Sequence, residues 1–89
     1  MQTNNTIINF LFETGDSSCP WWSETIIVQN VDLHELHQIE NKTKEINDKH
    51  IYDDLDYHEI VEEIMNELPY QWHDFNAPVT INGSYIIYT

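Results

Sequence analysis

Between residues 53 and 67 the chain carries the carboxylates Asp53, Asp54, Asp56, Glu59, Glu62, Glu63 and Glu67. The chemistry such a run suits is the capture of cations on another molecule. Pairs such as Asp54 and Glu59 could act as general acid and base, but a small domain with little spare core offers no obvious cleft for a substrate. Cys19 is the one thiol, and an acidic field raises a thiol pKa while no basic helper lies nearby. His34 and His37 stand at i, i+3, and His58 lies four residues before Glu62. Each helix could therefore donate two metal ligands, which makes a small His/carboxylate metal-binding protein an alternative reading. That spacing lacks a third ligand, and acidic neighbours favour the protonated form of a surface histidine in any case. The run from Asp53 to Asp56 lacks the central Gly and terminal Glu of a calcium loop. Gly15 and Gly83 are the only glycines, so there is no Gly-rich phosphate loop, and neither a nucleophile elbow nor a CxxC pair is present. The expectation is a binding protein, not an enzyme, without a cofactor or metal.

Charge points the same way. Sixteen Asp and Glu face three Lys and no Arg, for a net charge of −13 over 89 residues. A field of that size repels itself, lowers the stability of the compact state and steers cationic partners into contact. The many Ile and Asn fit an AT-rich genome, yet the same bias would raise Lys, which is scarce. A 40% hydrophobic content with three Trp, five Tyr and three Phe is too apolar for a disordered tail. The chain is read as one folded domain over residues 1–89. The lone cysteine excludes an internal disulfide, and the start shows no basic residue and only a short apolar run from Ile7 to Phe12. Neither a signal peptide nor a membrane span is visible, so a cytoplasmic location is expected.

The elements that must position the carboxylates can be read in order. Thr6 to Glu13 alternates as a strand, and Trp21 to Asn30 forms a second, the two pairing antiparallel across a polar turn. Asp32 with Glu35 is a capping-box signature, and Leu33, Leu36, Ile39 and Ile46 predict a helix from about Leu33 to Asp48. Asp56 with Glu59 repeats the signature. Ile60, Val61, Ile64, Met65 and Leu68 then make one apolar stripe before Pro69 stops the second helix. Residues 78–81 and 84–88 flank Asn82-Gly83, which suits a two-residue hairpin turn. The fold class expected is α+β, in ββααββ order, with an antiparallel sheet and both helices packed on one of its faces.

On the second helix Glu59, Glu62, Glu63 and Glu67 fall at i, i+3, i+4 and i+8 with no Lys or Arg partner in sequence. Each like-charged neighbour costs a few tenths of a kcal/mol, and such neighbours lie about 5 to 6 Å apart, close to the spacing of phosphates along a nucleic-acid strand. Asp53, Asp54 and Asp56 crowd the helix start, where the dipole alone stabilises them. Asp32, Glu35, Glu40, Glu45 and Asp48 follow the first helix, where Lys42, Lys44 and Lys49 can pair with them locally. Trp21 and Trp22 point to opposite faces of a strand, so at least one can be exposed as an interface anchor. Tyr70, Trp72, His73 and Phe75 are expected to plug the core.

In size, absence of Arg and acidic runs such as Asp53-Asp54-Leu55-Asp56 and Glu59-Ile60-Val61-Glu62-Glu63, the chain resembles the small acidic inhibitors of phages and mobile elements. These include anti-CRISPR and anti-restriction proteins and uracil-DNA glycosylase inhibitors that imitate DNA. The resemblance is one of class and matches no family motif. It implies an inhibitor whose carboxylates contact the basic groove of a nucleic-acid-binding protein, a nuclease or CRISPR effector, with no direct nucleic-acid or membrane contact. The partner-binding residues are then Asp53, Asp54, Asp56, Glu59, Glu62, Glu63 and Glu67, with Trp21 and Trp22. An immunity or antitoxin-like protein that neutralises a basic toxin uses the same electrostatics. A charge of −13 per chain disfavours self-association, so a monomer is expected, with a homodimer through an apolar seam left open.

Overall fold

In the computed structural model, which describes residues 3–53, 55–76 and 78–89, the β-branched and aromatic run near the start forms β1 (Asn5–Glu13). It pairs antiparallel with β2 (Trp21–Gln29) from Asn5 opposite Gln29 to Glu13 opposite Trp21. Strand alternation sends Ile8, Phe10, Phe12, Ile26 and Val28 to one face. The turn between the strands passes through Gly15 at φ 78, a left-handed conformation open to glycine because it has no Cβ. There the Asp16 carboxylate accepts hydrogen bonds from the Ser18 N–H and hydroxyl.

Two helices cover the apolar face. In α1 (Leu33–Lys49) the capping box is complete: Asp32 accepts from the Glu35 N–H at 2.8 Å and Glu35 accepts from the Asp32 N–H at 3.1 Å. The helix buries Leu36, Ile39, Thr43 and Ile46, and the Thr43 hydroxyl donates to the Ile39 carbonyl, so no polar group is stranded there. In α2 (Tyr57–Asn66) Asp56 caps the start by accepting from the Glu59 N–H at 2.9 Å, without a return bond from Glu59 among the described residues. Its stripe of Ile60, Val61, Ile64 and Met65 joins the strand residues and Ile87 in a single core. Leu68, Tyr70 and Trp72 pack against the edge of that core as expected, whereas Phe75 stays exposed. No helix of the described residues is long and apolar enough to cross a membrane.

The second half of the sheet departs from expectation. The sheet is mixed, in the order β3-β2-β1-β4: the three-residue β3 (Trp72–Asp74) runs antiparallel to β2, and β4 (Gly83–Tyr88) runs parallel to β1 on the opposite edge. The C-terminal hairpin does not form, because residues 78–81 join no strand and Asn82-Gly83 does not reverse the chain. Instead the Asn82 side chain accepts from the Asn5 N–H and the Asn82 N–H donates to the Asn5 carbonyl, both at 2.8 Å. These bonds set the parallel register that begins with Thr6 opposite Gly83. A local hairpin would have left one side of β1 without ladder partners. Docking β4 there satisfies those backbone groups and buries Ile87 completely.

The shortness of β3 shapes the surface. It pairs only with Ile26, Ile27 and Val28, so residues 21–25 of β2 have no strand beside them on that edge.

Candidate interaction surface

Helix α2 lies with its apolar stripe inward, so its polar residues fall on two flanks and an outer crest. One flank faces α1. There both oxygens of Glu63 lie 3.0 Å from His50 Nε2, Lys49 Nζ is 3.5 Å from Glu63, and His50 Nδ1 meets Asp53 at 2.6 Å. Hydrogen bonds to Asp53 and Glu63 hold the His50 pKa above its usual 6.5. The same bond from His50, assisted by Lys49, holds the Glu63 carboxyl below its usual 4.5. Glu67 lies 3.8 Å from Lys42, which also meets Glu45 at 3.1 Å. Lys44 lies 3.8 Å from Glu40, whose other oxygen accepts from the Tyr85 hydroxyl. Lys42 and Lys49 are thus engaged on this flank, and Lys44 pairs along α1 on its side toward β4.

The other flank faces the uncovered end of β2 and has no lysine. His58 Nε2 meets Glu62 at 2.9 Å, and His58 Nδ1 lies 3.7 Å from Glu24. Desolvation works against a charged His58, yet Glu62, Asp74, Glu24 and Asp56 together outweigh it and raise its pKa above 6.5. Glu59, one turn from Asp56 and from Glu62, extends the carboxylate patch along the crest, and its side chain makes no hydrogen bond or ion pair among the described residues. Within the patch lies a groove of about 480 Å³ lined by Trp22, Glu24, Asp56, Tyr57 and His58. The Trp22 indole N–H donates to Glu24 at 2.8 Å. Its ring lies 6.4 Å from that of Tyr57, which in turn stacks on buried Phe12 at 4.7 Å.

The carboxylates that look like one row in the sequence are therefore divided. Glu63 and Glu67, without a lysine partner in sequence, gain Lys49 and Lys42 from α1, and Asp53 is held by His50. Asp56 and Glu62 lie on the open side, Glu59 lies on the crest between the flanks, and Asp54 lies outside the described residues. Trp21 and Trp22 do point to opposite faces, and both remain about half exposed, at 45% and 49%. Only Trp22 borders the patch. Trp21 packs edge-on against Tyr88 at 6.0 Å, on the sheet face away from the helices. Glu24, Tyr57 and Asp74 belong to the patch and were not legible as site residues. Their one signal is Glu24, a charge at an inward position of an otherwise alternating strand.

The two histidines of the HxxH spacing have different neighbours: His34 bonds to Gln38, and the His37 ring rests on Tyr85. Among the described residues no group of three or more His, Cys, Asp or Glu is arranged to hold a metal ion. Cys19 is exposed on the β1–β2 turn, with the Trp21 carbonyl 3.8 Å from its sulfur. No family model, curated protein or solved structure matches the chain.

Proposed function

We propose that the chain is an acidic inhibitor that occupies the basic nucleic-acid-binding groove of a nuclease or another DNA- or RNA-binding protein, in the manner of the small phage inhibitors it resembles. One observation carries this reading. Lys42 and Lys49 are engaged on the α1 side of α2 and Lys44 pairs with Glu40 along α1, which leaves Glu24, Asp56, Glu62 and Asp74 on the β2 side, and Glu59 on the crest beside them, with only a histidine among them. Carboxylates grouped without cations repel one another and favour the arrival of Arg and Lys from outside. A nuclease target places its action in the cytoplasm, and the repulsion between two chains of charge −13 favours a monomer.

The test is capture from lysate of a low-GC bacterium on the immobilised protein, washed at about 0.1 M and then about 0.5 M salt, a range over which charge-driven complexes weaken strongly. The expected catch is a nucleic-acid-binding protein that elutes with salt and whose binding to DNA or RNA is blocked by the purified chain. A salt-resistant catch, or one whose nucleic-acid binding is unaffected, overturns the proposal.

A further inference from the structure

We propose that the groove beside Trp22 and Tyr57 receives one arginine side chain, with the guanidinium on the exposed indole face and its edge directed to Glu24 and Asp56. The inference rests on the reading above for the protein that carries the arginine, and on the groove itself for the chemistry.

A ladder of near-parallel rings leads from the core to this surface. Phe10 and Phe12 are 6.2 Å apart at 11°, Phe12 and Tyr57 4.7 Å at 20°, and Tyr57 and Trp22 6.4 Å at 27°. The inner two are fully buried and Trp22 is 49% exposed, so the last ring is backed by a rigid stack and still presents surface to a ligand. The indole N–H bond to Glu24 fixes its orientation. An aromatic face already attracts cations through its quadrupole. Here that face lies within a carboxylate patch, so both effects select positive charge and reject an anion.

The shape selects among cations. The groove, about 480 Å³, lies within the range for small-ligand sites, about 300 to 1,000 Å³, and so has room for one long side chain. A guanidinium is planar and weakly hydrated, and it can stack on a ring while its edge donates to carboxylates; an ammonium is a compact, strongly hydrated point charge. Acceptors are at hand. The second Glu24 oxygen lies no closer than 3.7 Å to His58, and one Asp56 oxygen caps α2 while the other has no hydrogen bond among the described residues.

The groove can be tested without the partner. Oligo-arginine and oligo-lysine peptides of equal length are titrated into the ¹⁵N-labelled protein at about 0.1 M salt, where long-range attraction is similar for the two. Affinity is measured together with the Trp22 indole N–H resonance, which Trp22→Phe identifies. The arginine peptide is expected to shift that resonance and to bind about two- to fivefold more tightly than lysine, the size of an exposed cation–π contact. Trp22→Leu, which keeps an apolar side chain against Tyr57, should retain the weaker charge-driven binding and lose the preference for arginine. Equal affinities, an unmoved Trp22 resonance, or a preference that survives in Trp22→Leu overturns the inference. Capture of a partner that binds no nucleic acid would overturn the proposed function alone and leave the peptide result standing.

Discussion

The two flanks of α2 are built from the same residue types and end in opposite electrostatic states. On the α1 side a histidine, His50, lies between two carboxylates and Lys49 approaches the same Glu63. On the β2 side a histidine, His58, lies among four carboxylates, and no lysine reaches them. The difference comes from the neighbouring element. The second half of α1 carries all the cations of the chain, whereas the end of β2 carries Glu24 and a half-exposed Trp. A carboxylate with a lysine and a histidine beside it ties two helices together; the same carboxylate beside other carboxylates is a surface that a basic partner can discharge.

The comparison breaks most completely if α2 itself is loosened. Ile64 is fully buried, and Ile64→Ala should cost about 2 to 5 kcal/mol, a large part of the total for a domain of this size. Urea denaturation should show this loss, with both flanks lost in one cooperative transition. Asp56 sharpens the comparison, because it caps α2 and also borders the patch. Asp56→Ala should lower stability by about 1 kcal/mol, the usual worth of an N-cap. Asp56→Asn keeps a capping oxygen, so its melting temperature should stay near wild type while its affinity for oligo-arginine falls. Equal destabilisation by the two variants would place Asp56 in a role other than capping.

The smallest effect is a pH dependence of stability. The His50 pKa is raised above 6.5 in the folded state. Its contribution is therefore fully present below 6.5 and lost as pH rises through the folded value. The Glu63 pKa is lowered below 4.5, so its contribution is present above 4.5 and lost as pH falls through the folded value. Together they favour the fold most between about pH 4.5 and 6.5. The melting temperature should decline from pH 6 toward pH 8.5, and His50→Gln should flatten part of that decline. His58, also raised, accounts for a remainder of the same sign. An unchanged slope in His50→Gln would show that His50 is no tie between the helices.

Local signals carried much of the fold. The alternation in β1 and β2, the Asp32–Glu35 box and the apolar stripe of α2 act within a few residues, and each is found close to where the spacing places it. Long-range pairing was not legible. Asn82-Gly83 has the local chemistry of a hairpin, yet the open side of β1 offers more hydrogen bonds and the burial of Ile87. A three-residue strand such as β3 has too few positions to show a period. The candidate surface divides in the same way. Asp56, Glu59 and Glu62 follow from helix spacing, but the closure of Glu63 and Glu67 depends on how α1 lies against α2. The presence of Glu24 and Asp74 depends on where β3 ends along β2.

The most direct test compares the flanks against one target. Affinity for the captured nucleic-acid-binding protein at about 0.1 M salt is measured for Glu59→Lys/Glu62→Lys and for Glu63→Gln/Glu67→Gln, with thermal unfolding of both. The first variant should lose about tenfold or more in affinity, with stability within about 0.5 kcal/mol of wild type, as for surface substitutions. The second should unfold more easily and bind within about twofold of wild type, since its carboxylates are already paired within the fold. Equal loss of affinity in both, or a greater loss in the second, would contradict the division of α2 into a closed flank and a binding flank.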